Sequence, residues 1–266
     1  MTDKAVRPLA LVTGASSGIG AALARELAKD GHDLILVARR TEQMRALAVD
    51  AAASGVQASV IGADLAAPGA AAGLAAELES RGVAVDVLVN AAGLGDNSRF
   101  EVEDKGRIGE MLHVNVLALT ELTRLLLPAM VARGRGKVLL VASTAGFQPG
   151  PNMAVYCATK AYVLSFGEAI AYELRNSGVT VSVLCPGATR TGFADVAGAG
   201  TMPLFSGSMF PVMQASEVAR IGYAGLKAGK RVIITGLFNK VGALSGRFSP
   251  HSASLAISSR LLGRTD

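Results

Sequence analysis

The sequence predicts an α/β fold: one domain on a doubly wound parallel sheet of seven strands, with helices on both faces. Three observations carry that expectation. Short apolar runs alternate with segments of helical periodicity along most of the 266 residues. Those runs are continuous in Val, Ile and Leu rather than alternating, as strands covered on both faces must be. A glycine-rich turn joins the first strand directly to the first helix. Hydrophobic residues make up 50% and charged ones 18%, a globular composition and not a disordered one. The length suits a single domain with a large core.

Leu9–Thr13 is the first strand. Ile19, Leu23 and Leu27 then fall at i, i+4 and i+8 on one helix face, and Gly31 ends that helix. Asp33–Ala38 is the second strand, followed by a helix over Thr41–Ser54 with Thr41 as its N-cap. The remaining strands are Val56–Gly62, Val85–Asn90, Lys137–Ala142, Val179–Leu184 and Arg231–Ile234. Helices lie near 69–80, 104–133, 154–176 and 216–228. Two stretches break the alternation, 190–215 and 236–266. No internal repeat and no Pro/Ser-rich linker divides the chain, so residues 1–266 are expected to form one domain.

The formal net charge is +5 and the isoelectric point near 9.4. That balance suits an anionic ligand, but no basic run of five or more exists and no nucleic-acid motif accompanies it. Ordinary solubility charge is the better reading, and no nucleic-acid partner is expected. The two cysteines, Cys157 and Cys185, form no Cys-x-x-Cys pair, and the three histidines are scattered. Neither a disulfide framework nor a metal site follows, and a reducing, cytoplasmic setting is expected. Lys4 and Arg7 precede an apolar run from Pro8 to Val12, but that run is too short for a signal peptide and passes straight into the glycine turn. No uninterrupted apolar stretch reaches the ~20 residues of a membrane helix.

Ligands of such sheets bind at the carboxyl ends of the strands, so chemistry is sought there. After the first strand comes Thr13-Gly14-Ala15-Ser16-Ser17-Gly18-Ile19-Gly20. Glycines permit the tight turn and close approach of backbone to a pyrophosphate, and the free N–H groups of the helix start favour the anion. A lone glycine cluster could be any strand–helix turn; this position makes it a Rossmann-like dinucleotide site. The second strand ends in Val37-Ala38-Arg39-Arg40, with no carboxylate until Glu42. An acid there would bind the ribose 2′-OH of NAD, whereas arginine suits the 2′-phosphate of NADP. Arg39 is the first candidate and Arg40 the second.

Ser143 follows the fifth strand, Tyr156 lies thirteen residues later, and Lys160 one helical turn beyond. Residues at i and i+4 share a helix face, so phenol and ammonium can point into one cleft. A nearby cation is expected to lower the phenol pKa from ~10. Tyr156 could then give a proton to a carbonyl oxygen as hydride arrives, or take it from an alcohol in reverse. Ser143 could hydrogen-bond the same oxygen.

The chain resembles the short-chain dehydrogenase/reductase family over roughly residues 8–235. The resemblance rests on seven motifs in order: the turn at 13–20, Asp64-Leu65, Asn90-Ala91-Ala92-Gly93, Asn115, Ser143, Tyr156-Cys157-Ala158-Thr159-Lys160 and Pro186-Gly187. It implies an NADP(H)-dependent oxidoreductase of a small carbonyl or alcohol. It further implies that Gly14, Ser16, Ser17, Gly18, Ile19, Gly20, Ala91, Gly93, Pro186, Gly187 and Thr189 contact the cofactor. Asp64 and Leu65 would flank the adenine, and Asn90 would hold the sheet centre and the cofactor loop. Lys160 would also bind the nicotinamide ribose, and Thr191 the carboxamide. Asn115 would position a water that relays protons to Lys160. Asp86 and His113 read as structural. Serine stands at position 17, where NADP-dependent members often carry a base, so the cofactor preference rests on Arg39 and Arg40. A homodimer or homotetramer through the helices near 104–133 and 154–176 is implied as well.

The stretch 190–215 falls where the family places its substrate lid. Phe193, Met202, Leu204, Phe205, Met209, Phe210 and Met213 make it apolar, and Ala197-Gly198-Ala199-Gly200 makes it hinge-like. With Phe147, Pro149 and Met153 these residues suggest a lipophilic ketone or aldehyde, or equally the packing of the lid or of a subunit interface. The tail 236–266 carries Lys240, Arg247, Arg260 and Arg264 against Asp266, with Leu255, Ile257, Leu261 and Leu262 among serines. It reads as a helix that covers the pocket or joins subunits, in preference to one that touches an anionic membrane. The alternatives are an NAD-dependent alcohol dehydrogenase running toward ketone, and a nucleotide sensor. Intact Ser143, Tyr156 and Lys160 argue against a sensor, which needs no general acid.

Overall fold

The computed structural model describes residues 7–200, 202–205, 211–245 and 251–263. Met209, Phe210, Arg247, Arg264 and Asp266 lie outside them. Seven strands form one parallel sheet: β1 Leu9–Thr13, β2 Asp33–Ala38, β3 Ala58–Gly62, β4 Val87–Asn90, β5 Gly136–Val141, β6 Val179–Cys185 and, later in the chain, β9 Val232–Ile234. Their order is β3-β2-β1-β4-β5-β6-β9. The chain winds outward from β1 to β3, then returns to begin again at β4 beside β1. That reversal opens a crevice above the carboxyl ends of β1 and β4.

Helices α1 Gly18–Lys29, α2 Thr41–Ala53 and, further along, α8 Ala215–Lys227 cover one face; α3 Ala70–Ser80, α5 Leu119–Ala132 and α6 Ala154–Glu173 cover the other. The alternation of β1 shows how each strand serves both layers. Ala10 and Val12 pack with the first group, and Leu11 with the second.

β3 and β4 begin two residues later than their apolar runs, because pairing starts only at Leu34↔Ala58 and Ala10↔Val87. Asp86 does a different job: its carboxylate accepts from the Leu9 amide at 3.0 Å. The single helix expected over 104–133 is one run in three parts: α4 Lys105–Leu112, a π-helical stretch His113–Ala118, and α5. Lys105–Ala132 has the length and hydropathy to cross a membrane, 28 residues at 1.5, which the apolar-run criterion did not detect. Here Met111, Val114, Leu119, Leu122 and Met130 of that run are core residues.

Past β6 the chain forms two strands that the apolar pattern did not show, β7 Thr189–Arg190 and β8 Met213–Gln214. They pair in parallel and bracket the lid. Between them lies α7 Phe193–Val196. The tail forms two helices, α9 Leu237–Ser245 and α10 His251–Leu262.

Candidate active site

The glycine turn is dictated by space. Gly14 sits at φ +68°, and a Cβ there would meet the Ala92 nitrogen at 2.7 Å. On Gly20 a Cβ would come within 2.4 Å of the Gly14 carbonyl oxygen. Only hydrogen fits at either place, so the first and last glycines let the turn close on itself and on the loop after β4. Thr13 ties that loop down: its hydroxyl accepts from the amides of Ala91 and Ala92, each at 3.1 Å.

A cleft of about 630 Å³ opens from this turn across the carboxyl ends of the strands. Gly14, Ser16, Ser17, Gly18, Ile19, Gly20, Arg39, Arg40, Asp64, Leu65, Ala91, Gly93, Ser143, Tyr156, Lys160, Pro186, Gly187, Thr189 and Thr191 all line it. Sheet order places the residues after β2 and β3 on one side of the crevice and those after β5 and β6 on the other. Arg40 turns back over the glycine turn, its Nη2 donating to Ser17 Oγ at 2.8 Å and Ser16 Oγ at 3.3 Å. The guanidinium the sequence ranked second thus lies on the glycine turn; both arginines are exposed and line the cleft. Positive-φ glycines, a helix start and an adjacent guanidinium fit an anionic dinucleotide.

Two expected cofactor-side residues do not line the cleft. The Asn90 amide points into the protein and donates to Thr123 Oγ1 at 3.0 Å, so it fastens β4 to α5. Asn115 lies fully buried in the π-helical stretch. Its Oδ1 accepts from the Leu94 amide at 2.8 Å, and its Nδ2 donates to the Leu94 carbonyl at 2.9 Å and Thr159 Oγ1 at 3.0 Å. Both side-chain N–H groups are spent. Thr159 passes the restraint on to the Tyr156 carbonyl at 2.7 Å.

Tyr156 and Lys160 both start α6 and face the cleft, with the Lys160 ammonium 5.7 Å from the phenol ring centroid. Ser143 lines the same cleft, its hydroxyl accepting from the Ala145 amide at 3.1 Å, and Lys160 Nζ donates to the Val141 carbonyl at 3.0 Å. The expectation that the cation would lower the phenol pKa is not met. Burial dominates and pushes the Tyr156 phenol up, opposed by the neighbouring Ser143 hydroxyl. The same burial pushes Lys160 down to about 8. The phenol is therefore held as a proton donor, beside an ammonium that can lose its proton near neutral pH. Burial also pushes Cys157 up to about 12, leaving a neutral thiol in the cleft wall.

The other part of the cleft is apolar. Phe193, Met202, Leu204, Phe205 and Met153 line it, as expected. Phe147 and Pro149 do not, and Met213 packs in the opposite core with α8. The Phe193 ring lies over Tyr156, centroids 5.2 Å apart and tilted by 44°. Sequence reasoning missed several wall residues: Phe238, Asn239 and Ala243 of α9, and Gly95 after β4. Ile257, Leu261 and Leu262 of α10 complete that wall, so the tail helix covers the pocket. Thr13 stood inside the quoted turn and was readable as its anchor; α9 carried no signal.

The profile of the short chain dehydrogenase family matches residues 8–200. The ketoacyl reductase HetN of Nostoc is 36% identical over 177 residues, 66% of this chain and 62% of that protein. The chain thus spans under two thirds of that relative's length. A very-long-chain 3-oxoacyl-CoA reductase of Anas platyrhynchos is 32% identical over 230 residues, 82% of this chain and 69% of that one. Among solved structures, a short-chain dehydrogenase from Sphingobium yanoikuyae in complex with NADPH superposes with a TM-score of 0.80 at 34% identity, covering 91% of this chain and 93% of that one. One from Burkholderia phymatum in complex with NAD gives 0.79 at 25% identity, covering 90% and 92%.

Proposed function

The chain belongs to the short-chain dehydrogenase/reductase family of nicotinamide-dependent oxidoreductases, and from that premise we propose that it is an NADP(H)-dependent reductase of a lipophilic ketone or aldehyde, with Tyr156 as general acid. The observation that carries this reading is the buried Tyr156, in one cleft with Ser143 and 5.7 Å from the Lys160 ammonium, with an apolar far wall.

When bound, the reduced cofactor supplies the hydride. All else falls to the chain's own side chains. The Tyr156 hydroxyl, kept neutral by burial, gives its proton to the carbonyl oxygen. The Ser143 hydroxyl donates a hydrogen bond to the same oxygen as negative charge develops there. The Lys160 ammonium stabilises the phenolate left behind, and its pKa of about 8 suits it to return the proton. Asn115 is a positioning residue: through Leu94 and Thr159 it holds the cofactor loop and α6 in mutual register. A water beside it would complete the relay to Lys160. Thr191, whose side chain lies against Gly18, would bind the carboxamide.

The NADP preference is supported by Arg40, which supplies at the turn the positive charge that Ser17 lacks. The names of the relatives support a ketone attached to an apolar body. Exposed Leu117, Leu125, Tyr162 and Tyr172 on the α5 and α6 side suit a homodimer or homotetramer.

Paired titrations of NADPH and NADH test the cofactor. Calorimetry or the cofactor's own fluorescence is the readout, because the chain has no tryptophan. NADPH is expected to bind more tightly, and Arg40→Ala to weaken it roughly 10- to 100-fold while sparing NADH. Equal or NADH-favouring binding would overturn the NADP assignment and turn the search to alcohol oxidation with NAD.

A further inference from the structure

The loop after β4 is clamped at three successive points. Asn115 holds Leu94 from below. Arg107 of α4 donates to the Gly95 carbonyl at 2.9 Å. Asn97 reaches the other way: its backbone N–H donates to the lid carbonyl of Ala197 at 2.8 Å, and its side-chain Nδ2 to the Leu262 carbonyl at the end of α10 at 3.2 Å. One residue thus joins three segments that the sequence keeps far apart, the lid through its backbone and the tail through its side chain. Asn97 is only 4% exposed, and its Oδ1 has no hydrogen-bond partner among the described residues. Such an orphan costs ~1–3 kcal/mol, which a space-filling leucine would not incur. What offsets it is the side chain's hold on the tail, since the backbone bond to the lid would survive in any residue.

What Asn97 holds is the pocket wall. Gly95 makes the seat for the lid's aromatic ring: a Cβ there would fall 2.4 Å from Phe193 Cζ. Leu262 enters the same wall and packs against Gly150. Ser258 gives α10 its second anchor, donating to the Pro149 carbonyl at 2.8 Å. Apart from Lys160, the described residues lining this end carry no charge. A charged group buried there would go unpaired, so the wall favours an uncharged body.

We propose that Asn97 is a specificity-determining positioning residue. By bonding Ala197 and Leu262 together it locks the lid and the C-terminal helix into one apolar wall that selects bulky, uncharged ketones. This rests on the reading of the chain as a carbonyl reductase. The test uses the full chain with NADPH, a steroid ketone and cyclohexanone, and compares the unmutated protein with Asn97→Ala and Ser258→Ala. Both variants should raise KM for the steroid ketone roughly ten-fold with little change in kcat, and shift the steroid-to-cyclohexanone ratio of kcat/KM by about the same factor. Hydrogen exchange over residues 255–262 should rise in both. Equal proportional losses on the two ketones, or an unchanged ratio, would overturn the assignment. If the unmutated chain reduces neither ketone, the reductase reading falls first. Exchange then decides the clasp alone: a rise upholds it, and no rise overturns it.

Discussion

The two ends of the cleft are built by different means. At the cofactor end, eight consecutive residues make the turn, and backbone atoms supply most of its chemistry. The substrate end is assembled from Gly95, Asn97, Phe193, Met202 and α10, with the bond from Asn97 to Leu262 spanning 165 positions. The cofactor end has no spare volume, because a Cβ on Gly14 or Gly20 would strike backbone that cannot yield. The substrate end meets its close contacts with side chains, which can shift. A site for a fixed anionic ligand is thus written in backbone, while a site for a variable apolar one is written in replaceable side chains.

Tyr156→Phe acts where the ends meet and should have the largest effect. It is expected to lower turnover by about 10²- to 10⁴-fold, while calorimetric NADPH binding stays close to that of the unmutated chain. An unaffected rate would break the assignment of Tyr156 and leave the comparison without its junction.

Lys160 sharpens the comparison through pH. Its folded pKa, about 8, lies below the ordinary value of 10.5. The folded state therefore binds fewer protons than the unfolded state between those values, and stability contributed by this group rises as pH climbs through that window. Relative to Lys160→Met, the unmutated chain should gain roughly 3 kcal/mol between pH 8 and 10.5, read by denaturant unfolding. Parallel stability profiles would mean that the ammonium is solvated.

The smallest effect separates the two ends directly. Gly20→Ala should cost about 1–3 kcal/mol and weaken NADPH binding, since the Gly14 carbonyl must move. Gly95→Ala displaces only the Phe193 ring, so it should cost less by thermal unfolding and show itself mainly in KM for bulky ketones. Equal losses of stability would erase the distinction.

Much of this was legible from residue order. The turn, the Tyr156–Lys160 pair and the seven strands of the main sheet are local patterns whose period or spacing dictates the outcome, although β3 and β4 start two residues late and the short β7 and β8 carried no apolar signal. Asn90 and Asn115 stand where strand and helix were expected, but the direction of an amide depends on its partner. Here the partners, Thr123 and Leu94, lie across the fold. Arg39 and Arg40 both line the cleft as read, but only position 40 folds back onto Ser16 and Ser17, which residue order could not show.

Residue order alone decided the parallel sheet, the glycine turn and the chemical groups that meet in the cleft, because periodicity, glycine spacing and an i, i+4 pair are short-range properties of the chain. Only the tertiary structure decided which protonation state burial imposes on Tyr156 and Lys160, and that the tail closes the pocket through Asn97. Desolvation and long-range hydrogen bonds depend on what surrounds a group, and the neighbours at this site come from the whole length of the chain.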